Sequence, residues 1–349
     1  MLGKTGAYPQ NETPGSEWVR GPSVNGEGDE FSLIDALAAR FATGPGGLAP
    51  GDLGIGDDAA AVTLPGLGRV VMATDLVVAG VHVDLAVSTP EDIGWKSLMV
   101  TVSDLGAMGC APSHVLLSVA APAGFPVKRL GDGVALAAEV TGCTVVGGDL
   151  SSSTLLVVSV AAVGPADDRV RPLLTRSGAR SGDLLFVTGP LGASAAGLRL
   201  LAVPVTDGAA GVSEPLDTGT PYLLATAHRR PMALIREGMV ARAAGATACI
   251  DVSDGLMADV THLADASGVG LHLVVGAPVV AEGATRHEAL DGGEDYELIV
   301  ATPDPDALKV AFDEAGLRMP LAIGRCTDAG AGRLLDEEPL PAGGWRHRF

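Results

Sequence analysis

Aromatic residues are scarce, at 3% of 349 residues, whereas the apolar share is 47% and alanine, glycine and valine are abundant. That composition suits close helix-on-sheet contacts in an α/β protein, and a pure β sandwich or a coiled coil fits it less well. Basic residues are also few. There are 23 against 42 acids, giving a formal charge of −19, and only four of the 23 are lysines. Neither a phosphate backbone nor an anionic membrane would be attracted, so no nucleic-acid or membrane partner is expected. The four cysteines, Cys110, Cys143, Cys249 and Cys326, are too far apart for a CxxC or zinc pattern and read as free thiols in a cytoplasmic protein. The longest apolar run, Leu155 to Gly164, is about half of what a bilayer-spanning helix requires. The amino terminus lacks a basic-then-apolar signal, so the expectation is a soluble protein that is not secreted. A complete P-loop, a protein-kinase signature and a Ser/His/Asp arrangement are all missing.

What the chain does contain is a series of acids in glycine-rich or hydroxyl-rich turns. Gly54-Ile55-Gly56-Asp57-Asp58 places two carboxylates side by side. Like charges about 4 Å apart repel by roughly 4 kcal/mol at an effective dielectric near 20, so such a pair needs water, a cation or a shared proton. Thr74-Asp75, Ser103-Asp104, Gly147-Gly148-Asp149, Asp251-Val252-Ser253-Asp254-Gly255 and Gly292-Gly293-Glu294-Asp295 repeat the theme. Any one alone reads as a turn; the repetition is the signal. Gly54-x-Gly56-x-x-Ala59 superficially matches a dinucleotide fingerprint. However, Pro50-Gly51-Asp52 precedes it where a strand is needed, a strand follows where a helix is needed, and two carboxylates would face the phosphate.

In chain order, residues 1–29 have no periodicity and read as a disordered extension. Ser32 and Asp35 cap a helix ending near Gly44. Strands at 60–64 and 69–74 form a hairpin that puts Thr74-Asp75 at a strand end, where Asp75 and Asp58 could converge. Thr89-Pro90-Glu91-Asp92 starts a helix running to about Gly109, with Val100, Ser103, Asp104 and Ala107 on one face. Asp104 among small apolar neighbours calls for a cation, with capping or a serine partner as the alternative. A strand at 113–120, a helix at 127–140 and a strand at 143–146 lead to Gly147-Gly148-Asp149 as a tight loop, before a strand at 155–163. His82 is either a hydrogen-bonded structural residue or a ligand.

Beyond a boundary at 164–171, the pattern gives a strand at 184–187, a helix at 193–201, a mobile loop at 204–220 and a helix at 232–244. A strand at 247–250 then ends at Asp251, a helix spans 255–266, a strand 298–301, a helix 306–315 and a strand 320–324. Ser253 and Asp254 fall where a strand meets a helix amino end, which suits phosphate as well as simple capping. The fold class is α/β (α+β) with two domains: 30–165, a mixed sheet with helices, and 170–349, an α/β domain completing the site. Acids in several turns suit more than one Mg²⁺, because each such ion takes one or two carboxylates plus waters and substrate phosphates. The chemistry indicated is phosphoryl transfer from a metal-bound nucleotide.

Taken together, Gly54-Ile55-Gly56-Asp57-Asp58-Ala59, the stretch from Thr74 to His82, Ser103-Asp104 through Gly109, Gly147-Gly148-Asp149, Thr175-Arg176-Ser177-Gly178-Ala179, Asp251 to Leu256 and Gly292 to Leu298 resemble the thiamine-monophosphate kinase family over residues 31–349. The resemblance implies that ATP and thiamine monophosphate give ADP and thiamine diphosphate by direct in-line transfer with Mg²⁺. It also implies a homodimer whose amino-terminal sheets pair, with ATP held near that interface. Carried over, Asp58, Thr74, Asp75, Asp104, Asp149, Asp251 and Asp254 are metal ligands. Gly148, Asp149, Arg176 and Ser253 meet ATP, and His82, Glu294 and Trp345 meet the thiamine substrate. Asp75, Asp104, Arg176 and Asp254 form the catalytic group. The acceptor is a phosphate monoester, with a second pKa near 6, so it is mostly ionised at neutral pH and needs no general base. Repulsion between two anions is then the obstacle, to be met by Mg²⁺ and Arg176. The carboxy terminus, Trp345-Arg346-His347-Arg348-Phe349, departs from the aromatic-Asp-His-Phe ending of the family. Other enzymes of the superfamily, such as aminoimidazole ribonucleotide synthetase, and a non-catalytic acidic domain that binds divalent ions are the competing readings.

Overall fold

Helix α1 (Pro90–Ala107) is the element on which both halves of the protein are packed. Thr89 and Asp92 close its first turn reciprocally: the Thr89 hydroxyl accepts from Asp92 N–H, and the Asp92 carboxylate accepts from Thr89 N–H. Pro90 supplies the fixed φ that a first helical position favours. Its buried residues occupy every face of the helix, from Asp92 to Ala107, as expected of a helix enclosed on all sides. The structure is a computed structural model and describes residues 34, 37–39, 48, 51–66, 68–166, 171–202, 218–276 and 279–345. Contacts divide the chain into Met1–Thr43 with His347–Phe349, and Gly44–Arg346. In the first unit Ile34 and Leu37–Ala39 are helical, where the first helix is expected. The remainder of that helix, the extension 1–29 and most of the 204–220 loop lie outside the described residues.

Within the second unit, β1 (Ala60–Leu64), β2 (Gly68–Val78), β3 (His114–Ala121), β4 (Thr144–Ser152) and β5 (Val157–Pro165) form a mixed sheet ordered β1-β2-β5-β3-β4. Its pairs are antiparallel except for β3 and β4. One face of this sheet, with Val71, Val77, Val115, Val119, Val158 and Val160, is buried. Helix α1 packs against β2 and β5, and α2 (Val127–Thr141) packs on α1. Glycines permit that helix pair: a Cβ on Gly94 would lie 2.0 Å from Leu130 O, and one on Gly133 2.0 Å from Glu91 O. The opposite face carries Met72, Leu76 and Leu116, all exposed, and every residue of β4 is exposed.

The second sheet runs β12-β11-β8-β10-β6-β9-β7. Its elements, with their helices, are β6 (Leu184–Val187), α3 (Ala193–Leu201), α4 (Gly219–Arg229), α5 (Ile235–Ala244), β7 (Ala248–Asp251), α6 (Leu256–Ser267), β8 (Gly270–Leu273), α7 (Arg286–Asp291), β9 (Leu298–Thr302), α8 (Pro305–Glu314), β10 (Leu321–Thr327), β11 (Arg333–Leu335) and β12 (Glu338–Pro339). All its pairs are antiparallel except β8 with β11. Helix α1 also touches α5 and β7 of this half. The buried guanidinium of Arg242 fastens the crossing: its Nε donates to the carbonyls of Arg171 and Pro172, and its Nη1 to Gly109 O at 3.1 Å.

Two local expectations are corrected. Strand β2 continues past Thr74 to Val78, so Asp75 is a mid-strand residue on the buried face, where the Thr101 hydroxyl of α1 hydrogen-bonds its carboxylate. Gly147-Gly148-Asp149 lies inside β4 rather than in a loop. Gly148 has φ 157°, and a Cβ there would sit 1.6 Å from Leu117 O, so the glycine serves a close strand approach. Elements α4, α7, β8, β11 and β12 were not foreseen from the sequence.

Candidate active site

Three of the singled-out acids meet at the junction of the two sheets. Asp58 lies just before β1, Asp104 on the last turns of α1 and Asp251 at the end of β7, and one carboxylate oxygen of each falls within 4.8 Å of the others. Arg176, in a short 3₁₀ turn, closes the group: its Nε and Nη2 both donate to Asp58 Oδ1, at 3.0 and 2.6 Å, and its backbone N–H donates to Asp57 Oδ1 at 3.1 Å. Ser103 donates to Asp251 Oδ2 at 2.5 Å. The Asp58 carboxylate is wholly enclosed, yet its Oδ2 accepts no hydrogen bond from any of the described residues.

The electrostatics follow from burial. Desolvation pushes Asp58 up to about 7 against the pull of Arg176, with Asp251 adding to the rise. Asp104 is carried well above the usual carboxylate range by burial and by the charges of Asp75, Asp251 and Asp58. Asp251 is raised to about 6 by burial, with the Ser103 hydrogen bond opposing, and Asp75 to about 6 by burial, with Thr101 opposing. For Arg176, burial alone favours the neutral form, but Asp58, Asp251 and Asp57 reverse that and raise it. One guanidinium therefore answers several carboxylates. An enclosed oxygen without a donor, among acids that repel one another, fits a hard divalent cation; the donor set is all oxygen, as Mg²⁺ prefers.

The other expected residues are distributed around this centre. Asp75 sits on the inner face of the sheet, close enough for its charge to raise Asp104 and Asp251. Thr74, one position earlier, is on the opposite face, and its hydroxyl donates to Val160 O at 3.0 Å. Asp149 is also on that outer face, in register with Ser118, which itself pairs with Ser159. Neither belongs to the acid group. Gly148 is beside Asp149 on the edge strand. Asp254 lies in the loop before α6, where its N–H and that of Gly255 donate to the buried Asp259 carboxylate, and its carbonyl accepts from Trp345 N–H at 2.9 Å. Ser253 O accepts from Glu294 N–H at 2.8 Å, tying that loop to the Gly292–Asp295 segment. His82 accepts from Val78 N–H through Nδ1, a structural bond at the end of β2. Trp345 is the last described residue and is half-exposed.

Two features escaped the sequence reading. Lys96, on α1, is 2% exposed and pairs with Glu294; its only signal was an ammonium inside the apolar run Ile93–Val100. Asp259 holds the Ser253–Gly255 loop, and an acid four residues into a helix gave no reason to suspect it.

Comparison with known proteins identifies the family. The family model described as AIR synthase related protein, N-terminal domain, matches residues 56–166, and its C-terminal counterpart matches 180–337. The thiamine-monophosphate kinase of Mycobacterium tuberculosis is 38% identical over 332 residues, covering 91% of each chain. The chain belongs to the thiamine-monophosphate kinase family. The Bacillus subtilis member is 33% identical, over 84% of this chain and 89% of that one. Among solved structures, a thiamine monophosphate kinase from Aquifex aeolicus aligns at TM-score 0.69 with 31% identity, over 88% of this chain and 97% of that one. The structure described as AaThiL complexed with AMPPCP and TMP aligns at TM-score 0.76 with 33% identity, over 92% and 97%. The two-domain α/β architecture of the family is thus the one seen here.

Proposed function

We infer that the protein transfers the γ-phosphoryl group of ATP to the phosphate of thiamine monophosphate, forming ADP and thiamine diphosphate. The observation that carries this reading is the enclosed group of Asp58, Asp104 and Asp251 beside Arg176, with Asp58 Oδ2 lacking a donor among the described residues, in a chain of this family. The ligands named for the AaThiL complex, AMPPCP and TMP, support the same pair of substrates.

Asp58, Asp75, Asp104, Asp251 and Asp254 are the residues proposed to hold Mg²⁺. Thr74 is left out of this set, because its hydroxyl is engaged on the far face of β2, and Asp149 is left out for its place on the same face. Mg²⁺ held by these carboxylates would supply positive charge against the repulsion between the two substrates' phosphates. Arg176, held by Asp58 and Asp57, keeps its guanidinium protonated and fixed in direction for the transferring phosphoryl group. Ser103 orients Asp251, and Asp259 fixes the loop bearing Ser253 and Asp254 by accepting from the N–H groups of Asp254 and Gly255. Because the acceptor phosphate arrives ionised, no residue has to take a proton from it.

The proposal includes a cytoplasmic homodimer. The exposed Met72, Leu76 and Leu116 make the outer face of the first sheet an apolar surface suited to a second copy. Gly148 and Asp149, on the adjoining edge strand, are proposed to meet nucleotide near that interface. Buried free thiols at all four cysteines suit a reducing compartment.

The test is ADP formation with purified protein, ATP and Mg²⁺, offering thiamine monophosphate or formylglycinamidine ribonucleotide as acceptor. Thiamine diphosphate formed only with Mg²⁺ is the expected result. Turnover with the ribonucleotide alone would assign the chain to the aminoimidazole ribonucleotide synthetase reaction instead.

A further inference from the structure

Glu294 is held in an uncommon backbone conformation, with φ 65°. A Cβ on the preceding Gly293 would come within 2.4 Å of Ser253 O, and Glu294 N–H donates to that same carbonyl. The segment is therefore over-determined, as a side chain presented in one fixed direction requires. Two basic side chains flank the carboxylate. From α1, the Lys96 ammonium reaches Glu294 Oε1 at 2.6 Å and donates to His82 O at 3.1 Å. From α4, His228 Nδ1 lies 3.5 Å from Oε2.

The two differ in what they can supply. Burial, with the nearby Lys96 charge, pushes His228 down to about 4 although Glu294 opposes it, so the ring is uncharged near neutrality. Ser194 Oγ approaches the same Nδ1 at 3.1 Å. A serine–histidine–acid relay uses opposite ring nitrogens, so this trio is not one. Lys96 is then the charged partner of Glu294. The ammonium is 2% exposed, whereas the carboxylate keeps 26% of its surface open. The Lys96 contact is made to one of the two carboxylate oxygens, Oε1.

We propose that Lys96 is a positioning residue: it holds the Glu294 carboxylate aimed at the cationic or N–H-donating heteroaromatic part of the phosphate-monoester acceptor, and so governs acceptor recognition rather than phosphoryl transfer. The inference rests on the activity proposed above, with thiamine monophosphate as acceptor. It also assigns the N-terminal half a part in reading the acceptor ring, through a side chain that need not touch it.

The test compares Lys96→Gln, which keeps a donor without charge, Lys96→Arg, which keeps the charge, Glu294→Gln and the double variant Lys96→Gln/Glu294→Gln. Wild-type turnover is measured first, and its absence refutes the kinase activity itself. With active wild type, Lys96→Gln is expected to raise the KM for thiamine monophosphate about tenfold or more, leaving kcat and the KM for ATP within about threefold. Lys96→Arg should recover most of the loss, and the double variant should be no worse than Glu294→Gln alone. Calorimetric binding of thiamine monophosphate should weaken in parallel. An unchanged acceptor KM in folded Lys96→Gln overturns the proposal, as does a loss confined to kcat or a Lys96→Gln effect that persists undiminished when Glu294 is already Gln. If Lys96→Gln fails to fold, Lys96→Arg decides: acceptor KM near that of wild type supports the role, and a large rise despite the retained charge overturns it.

Discussion

The two oxygens of Asp58 meet different surroundings: Oδ1 takes both guanidinium bonds of Arg176, and Oδ2 takes none from the described residues. Removing charge from the group should therefore help the fold while harming the reaction. Asp104 is raised by burial and by three neighbouring carboxylates, so Asp104→Asn relieves repulsion without removing an ion pair. In divalent-free buffer this variant should melt about 2–4 °C higher than wild type by calorimetry. Its phosphoryl transfer should fall at least about 10³-fold, because a ligand oxygen of the divalent site is replaced by an amide. A purely structural cation site predicts altered stability with no turnover to lose, so the paired measurement separates the two. At this scale the acids were legible, since a carboxylate beside glycine or a hydroxyl has few reasons to recur. Lys96 was not legible as a partner of Glu294, because nothing local to an apolar helix indicates which distant carboxylate an ammonium will meet.

Among the elements, α1 and α2 cross so closely that Gly94 and Gly133 each lie against the other helix's carbonyl groups. Gly133→Ala gains helix propensity of about 1 kcal/mol but must displace Glu91 O, which a Cβ would approach to 2.0 Å. The clash should dominate, with a net loss of about 2 kcal/mol in a denaturant titration. Since α1 carries Lys96, Ser103 and Asp104, a shift of the crossing should also lower turnover at fixed substrate. Periodicity and caps revealed α1, α2, α3, α6 and α8 to within a few residues, because each combines an apolar face with a recognisable start or stop. They did not reveal that β2 runs on through Asp75 or that Gly147-Gly148-Asp149 is strand. In both cases local polarity signals a turn, whereas neighbouring strands decide the outcome: β5 pairs with β2 up to Val78, and β3 holds β4 through Ser152. The short strands β8, β11 and β12 are likewise fixed by pairing partners rather than by their own few residues.

Over the whole molecule, the raised carboxyls make stability depend on pH and on divalent ions together. An aspartate in water titrates near about 3.9. Folded Asp58, Asp75 and Asp251 titrate at about 7, about 6 and about 6. Between those limits the folded state binds more protons than the unfolded one, so their contribution is present at low pH and is lost as pH rises through about 6 to 7. Melting temperature in EDTA should accordingly fall from pH 5 to pH 8. Mg²⁺ should flatten that fall, and a slope unaffected by Mg²⁺ would count against the acid group as the binding place. The proposed dimer gives a second molecular test. Leu76 is 56% exposed on the outer sheet face, so Leu76→Arg should shift the sedimenting species from dimer to monomer.

Ser103 and Asp251, joined by one short bond, are separated by 148 positions in the chain. During synthesis the amino-terminal half emerges with Asp58 and Asp104 but without Asp251, the third carboxylate of their group, which arrives with β7. The pocket proposed for cations thus cannot close before β7 has emerged, and a product truncated ahead of it would retain Asp58, Asp75 and Asp104 without Asp251 to complete the group.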